Sequence, residues 1–366
     1  MLSVLTRRMP LLACALVLSW APASHAAAPS DFVGITSEDL LYAPGDYRST
    51  TMSQQYSVGV RLVRQVFDWS GIEQSPGHYD FALYDTFVRD AAAKGIAVLP
   101  VLHNTPPFYW RGSSGRPWCP PRQLSTMAEF ARAAVRRYGP NGSLWREHPG
   151  APSLPIRSWQ IWNEPNLGVY WCNRPNPREY ASMLRVVGKA IKSEDSGAKI
   201  VTAGLPDSKL KSAMPLDKFI SRLYKARGKR YFDTLAINGY ATNNAQLSQL
   251  LHRVRRQMNR KRDRRAGIWI TEIGWGDAGP PHRYNVGSAG QAARIANSFR
   301  LFGKLGRKLR LRGVVYYSWR DHQPYPPKYN DMWGLHTGLL DVNGNPKPAY
   351  YAFGQAAQAA VAALSR

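Results

Sequence analysis

Two glutamates stand out by their settings. Glu164 closes the run Trp159-Gln160-Ile161-Trp162-Asn163-Glu164, and Glu272 closes Trp269-Ile270-Thr271-Glu272. Each follows a short run rich in apolar, β-prone residues, so each should project from the tip of a strand. A carboxyl group near the axis of a fold is costly unless it is paired or works. Two of them together suit one chemistry: one, kept protonated, donates to a leaving oxygen, while the other, ionised, attacks carbon. Glycosidic cleavage with retention uses such a pair, about 5–5.5 Å apart. The charge of Glu272 should raise the pKa of Glu164. Asn163, one residue earlier, is placed to donate to a sugar 2-hydroxyl. The plain alternative is that either glutamate caps a loop or pairs with Arg64.

The elements that must position these groups alternate along the chain. Strands are expected at 32–36, 61–69, 96–103, 158–163, 199–203, 233–239, 268–272 and 313–319, each brief and rich in β-branched and aromatic residues. Helix signals lie between them. Asp80 can cap a helix closed by Gly95, Thr126-x-x-Glu129 reads as a capping box, and Asn176-Pro177-Arg178-Glu179 supplies a cap, a first-turn proline and an acid. Further helices fit 216–226, 245–260, 289–305 and 349–364. This alternation of α and β elements predicts a single (β/α)8 TIM barrel, with reactive groups at the C-terminal strand ends. An open doubly wound sheet is the other candidate, but Gly34-Ile35-Thr36-Ser37 is not the glycine-rich loop that usually follows its first strand.

The N-terminus reads as a secretory signal: Arg7 and Arg8, an apolar run from Leu11 to Leu18, and Ser24-His25-Ala26 as a cleavage pattern. Cleavage after Ala26 would leave 27–366 as the catalytic domain, in the periplasm or outside the cell, with no later stretch apolar enough to span a bilayer. An uncleaved anchor is the alternative, although the run is short for one. Of three cysteines Cys14 would leave, and Cys119 with Cys172 are expected to pair in an oxidising compartment. They fall after strands three and four, where a bridge would fix one wall of a cleft; two free thiols are the alternative.

The chain carries 49 basic against 24 acidic residues. Losing Arg7 and Arg8 would leave 47 − 24 = +23. The excess gathers in basic stretches at 253–265 and 300–312. Such helices suit an anionic polymer or an anionic envelope surface; they also suit a solvated outer face. Nucleic acid is a poor partner for an exported chain. No His-Glu-x-x-His, phosphate loop or Gly-x-Ser-x-Gly elbow is present, so no metal or cofactor is expected.

Trp162-Asn163-Glu164-Pro165 and Thr271-Glu272-Ile273-Gly274 resemble the strand-four and strand-seven motifs of clan A glycoside hydrolases. Gly59 to Arg64, Trp69 to Glu73, Pro76 to Phe81 and Gly338 to Ala349 are similar to other parts of that clan, and the family 39 and family 5 types are the nearest in pattern. These include endoglycosidases acting on bacterial exopolysaccharides. The resemblance implies retention through a covalent glycosyl-enzyme without a cofactor, with Glu164 as acid/base and Glu272 as nucleophile. It implies that Arg64 hydrogen-bonds Glu272. Tyr240 is expected near Glu272 or substrate, although Asn238-Gly239-Tyr240 lacks the histidine common in the clan there.

His103 is expected either to line the cleft or to sit as a core histidine. Tryptophans at or after strand ends, namely Trp69, Trp110, Trp118, Trp171, Trp275, Trp319 and Trp333, suit a saccharide cleft, because sugar C–H faces stack on aromatic planes. Trp319 is expected as the floor of the central subsite, and Trp275 as a further substrate-binding residue. Trp159, Trp162 and Trp269 read as barrel packing. The function expected is hydrolysis within a polysaccharide or oligosaccharide, with an acidic bacterial exopolysaccharide as the favoured target; an idle barrel that binds an anionic polysaccharide or the envelope surface, and a transglycosylase, are the rivals.

Overall fold

A computed structural model describes residues 30–112, 115–172, 174–323 and 330–366. The expected signal segment, with Arg7, Arg8 and Cys14, lies outside them. Eight parallel strands form the barrel: β1 (Val33–Thr36), β2 (Leu62–Asp68), β3 (Ala97–His103), β4 (Ser158–Ile161), β5 (Lys199–Val201), β6 (Thr234–Asn238), β7 (Gly267–Ile273) and β8 (Leu311–Tyr317). β8 pairs with β1, and β6 with β7, so the sheet closes and the open-sheet alternative is excluded. The expected strands fall within two residues of those observed.

Long helices follow the strands: α1 (Gly45–Ser57), α2 (Ala82–Ala93), α3 (Leu124–Tyr138), α4 (Pro177–Glu194), α5 (Leu216–Lys225), α6 (Asn244–Arg260), α7 (Gly287–Leu309) and α8 (Pro348–Ser365). α4 starts as its residues dictate: Asn176 Oδ1 accepts the Glu179 N–H at 3.2 Å and Pro177 fills the first position. The capping box at Thr126 does not form. α3 begins two residues earlier, Thr126 Oγ1 instead donates to the Gln123 carbonyl, and Glu129 pairs with Arg132. α1 escapes the sequence reading because its apolar stripe is weak; its buried side chains include Arg48, Thr51 and Gln55. Among the described residues no helix is long and apolar enough to cross a membrane.

Inside the barrel, Leu62, Leu99, Val201, Ala236, Trp269 and Val315 fill one apolar layer. Trp269 fits because Gly313 faces it: a Cβ at 313 would stand 2.7 Å from the indole nitrogen. Side chains two residues further along a strand point to the same side. Above this plug, Leu62 is thus succeeded by Arg64 and Trp269 by Thr271, and the barrel interior turns polar towards its C-terminal end.

Candidate active site

Arg64 is the hub of that polar layer. Its Nε donates to Gln160 Oε1 (2.9 Å), Nη1 to Glu272 Oε1 (3.0 Å) and Nη2 to Asn163 Oδ1 (2.9 Å). The side chain is only 6% exposed, and its planar fork holds three partners from two strands in one geometry. Glu272 follows Thr271, so strict alternation would turn it outward. The pairing of β7 with β6 shifts register between Ile270 and Glu272, and this bulge brings Glu272 into the cleft. Its second oxygen, Oε2, accepts from the Tyr240 hydroxyl at 3.0 Å. Burial first, and then the Glu272 charge, push the Tyr240 phenol well above its ordinary pKa, so it stays a donor.

Glu164 is positioned by an unusual backbone. Trp162 and Glu164 both have positive φ, 71° and 45°, a region costly for side chains other than glycine. The turn is held by the Glu164 N–H donating to the Gly204 carbonyl (3.3 Å) and the Leu167 N–H donating to the Glu164 carbonyl (2.9 Å). Burial, more than the Glu272 charge, pushes the Glu164 carboxyl up to about 8. Asn238 Nδ2 donates to its Oε1 at 2.6 Å and, with the Arg64 charge, works in the opposite direction. Glu164 is therefore mostly protonated at neutral pH. Asn163, its carbonyl occupied by Arg64, has its amide nitrogen left to donate elsewhere.

The remaining expected residues divide. His103 is buried against Trp162, with ring centroids 4.4 Å apart, and burial lowers its pKa to about 3. Its Nε2 has no partner. The cleft-lining and core alternatives for it merge: it sits under the cleft as a neutral ring. Trp275 and Trp319 do not offer stacking faces. Both are fully buried, Trp275 donating to the Ala241 carbonyl at 2.7 Å and Trp319 packing on Tyr350. These loop residues turn inward because they close the core above the helices, which sequence position alone does not reveal. Trp69 and Trp171 are likewise buried, Trp110 and Trp333 half-buried, and Trp118 exposed. Trp333 packs beside Tyr240 (5.5 Å) and Tyr284 (4.8 Å), and stacks on His282 (5.4 Å), forming the aromatic cluster nearest Glu272's partner.

Four residues near the carboxylates were not singled out from sequence. Asn238 and Gln160 are the polar partners already described; Tyr170 and Tyr317 have phenol pKa values raised by burial and then by nearby carboxylates, Glu272 among them in both cases. Asn238 had one signal, its place two residues before Tyr240. Cys119 and Cys172 form a disulfide with Cα atoms 5.2 Å apart, joining the loops after β3 and β4. Trp171 Nε1 donates to Glu179 (2.9 Å) and Arg111 pairs with the same carboxylate, adding to that wall. A larger cavity of about 900 Å³, between the Gln74–Phe81 turn and the end of α3, contains none of the expected site residues.

The fold is a (β/α)8 barrel similar to those of family 39 glycoside hydrolases. Among solved structures, the chain is similar to a family 39 glycoside hydrolase from Bacteroides cellulosilyticus WH2, with 21% identity, TM-score 0.64, and coverage of 90% of this chain and 64% of that one. It is also similar to a family 39 β-xylosidase from Caulobacter crescentus (19% identity, TM-score 0.65, 90% and 72% covered). A third is an exo-β-1,4-mannosidase from Opitutaceae bacterium strain TAV5 (17% identity, TM-score 0.62, 94% and 63% covered). At these identities the likeness establishes the shared barrel, and the chain spans about two-thirds of the first protein's length. No protein-family model and no curated protein sequence matches the chain.

Proposed function

We propose that this chain is a retaining O-glycoside hydrolase working by double displacement. The observation that carries the reading is the asymmetry of the two carboxyls. Glu164 is kept protonated by burial, while Glu272 has a guanidinium as its counter-charge and a phenol on its other oxygen. In the first step a Glu272 oxygen attacks the anomeric carbon as the glycosidic C–O bond breaks, and Glu164 gives its proton to the departing oxygen. In the second, Glu164 takes a proton from water, the water oxygen bonds to the anomeric carbon, and Glu272 is released. The Asn163 amide is the donor for the sugar 2-hydroxyl.

The substrate class follows from the rim. A pocket of about 270 Å³ adjoins Tyr240, and Lys209 and Arg283 line it, both exposed. Together with the Trp333 cluster, these cations favour an acidic oligo- or polysaccharide cleaved within the chain. The Cys119–Cys172 bond supports an exported enzyme.

The test is to incubate wild type and Glu272→Gln with neutral and uronate-bearing glycans and analyse products by mass spectrometry. Cleavage by the wild type alone, with net retention seen by NMR, is expected. Equal turnover by Glu272→Gln would remove Glu272 from the chemistry. Retention of glycans with no cleavage would favour the idle-barrel reading, and transfer to sugar acceptors in place of water would favour the transglycosylase.

A further inference from the structure

The strands are parallel, so the barrel has two distinct ends. Glu164 and Glu272 lie at one. At the other, where the chain enters β6, β7 and β8, stand ten exposed cations. Lys229 and Arg230 precede β6, five basic residues occupy 260–265 before β7, and Arg307, Lys308 and Arg310 precede β8. Among the described residues none of the ten forms an ion pair, whereas Arg132, Arg136, Arg137 and Arg253 on the helices are each matched by a carboxylate. The two acids in this region are already engaged. Asp263 accepts from the Tyr224 hydroxyl (2.6 Å), and Asp233 accepts from the Ile200 N–H (2.9 Å) and pairs with Lys192.

The platform is also built to hold its shape. Arg255 is buried beneath it and donates to the carbonyls of Leu309 (3.1 Å), Asp263 (3.4 Å) and Ala266 (2.9 Å). Lys229 reaches the Arg262 carbonyl at 3.0 Å, and Arg310 the Arg265 carbonyl at 3.1 Å. Three loops are thus tied together through backbone oxygens, which anchor the cations without neutralising them. Like charges held this close repel one another, and that repulsion is relieved only by an anionic partner or counter-ions.

We propose that this end of the barrel is a docking surface for an anionic glycan chain, separate from the catalytic cleft and facing away from it. Seven of the ten cations are arginines, whose fork suits carboxylates. Among them lies a groove of about 710 Å³ lined by Lys229, Arg262, Arg264 and Arg265 together with Asp233 and Asp263, so cations outnumber carboxylates along it. Among the described residues, none of the large exposed apolar side chains lies in the three basic segments, and Tyr56, before β2, is the one such residue at this end, too little to anchor a bilayer. The choice of a glycan among polyanions rests on the glycosidase reading; the binding itself does not. Holding one stretch of polymer would raise the local concentration of other stretches at the cleft.

The experiment uses full-length mature protein carrying Glu272→Gln and polygalacturonate as the probe. Binding is measured by co-sedimentation at low and high salt, with Arg262→Gln/Arg264→Gln/Arg265→Gln compared against Arg185→Gln/Lys189→Gln/Lys218→Gln on outer helix faces. The first triple is expected to weaken binding at least roughly tenfold and the second little, with high salt abolishing the difference. Wild-type protein carrying the first triple should retain its activity on a short neutral substrate, which separates docking from catalysis. Circular dichroism confirms that both triples fold. Equal loss in both would reduce the effect to net charge and overturn the proposal. Tighter binding to phosphatidylglycerol vesicles than to polygalacturonate would overturn it as well.

Discussion

Asn238 donates its side-chain N–H to Glu164 across 2.6 Å, and Thr271 Oγ1 donates to the same amide's oxygen across 3.0 Å. The threonine, whose hydroxyl also lies 3.3 Å from the Ile237 carbonyl, favours the orientation in which the amide oxygen faces it and the NH2 faces the glutamate. Glu164 Oε1 is thereby an acceptor, leaving Oε2 to carry the proton. Gly204 makes the arrangement possible, because a Cβ there would stand 2.1 Å from Asn238 Oδ1 and 2.5 Å from Thr271 Oγ1.

The first prediction concerns pH dependence. The Asn238 donor opposes the burial that raises Glu164. Asn238→Ala should therefore move the alkaline limb of the kcat/KM profile to higher pH and lower kcat about tenfold. Gly204→Ala, which displaces the amide, should move the limb the same way. An unmoved limb in both variants would separate Asn238 from the acid.

Stability should show the reverse face of this tuning. A carboxyl held near 8 in the native state, against an ordinary 4.5, stays protonated in the fold after the unfolded chain has released its proton. The fold thus loses stability as pH rises from about 4.5 to 8, so Glu164→Gln should be more stable than wild type at pH 8 by about 1–3 kcal/mol and no more stable at pH 4. Urea denaturation at the two pH values reads the difference.

Arg64→Lys keeps the charge and loses the fork. A lysine cannot hold Gln160, Asn163 and Glu272 in one plane, so kcat/KM should fall roughly a hundredfold or more with the fold retained. Activity within threefold of wild type, roughly, would mean that charge alone suffices.

Removing the disulfide with Cys119→Ser and Cys172→Ser should cost about 2–4 kcal/mol. Dithiothreitol should lower the Tm of the wild type and leave that of the double variant unchanged.

The barrel was legible because its strands are short, buried and separated by capped helices, as at Asn176, whose side chain caps as its residue type implies. Glu164, Glu272 and Arg64 were legible because motif and strand end coincide. Trp319 and Trp275 were not, since an aromatic after a strand can face the cleft or the helix layer, and only packing decides. Asn238 was passed over because its role depends on Thr271 and Gly204, which come near it only once the sheet has closed. The bulge that turns Glu272 inward leaves no mark in composition.

Strand five carries a further consequence. Its ladder is irregular: Val201 pairs with Thr234 and Leu205 with Ile237, whereas β2 and β3 share seven paired positions. Between those two pairs β6 is held through Thr202, whose N–H donates to the Thr234 carbonyl (3.0 Å) and whose Oγ1 accepts the Ala236 N–H (2.8 Å). Local opening should concentrate at this seam, where amide protons exchange sooner than in the β2–β3 ladder. The backbone of Glu164 leans on it through the Gly204 carbonyl. Warming or mild denaturant should therefore disorganise the proton donor before the barrel as a whole unfolds, and lost activity should precede lost circular dichroism.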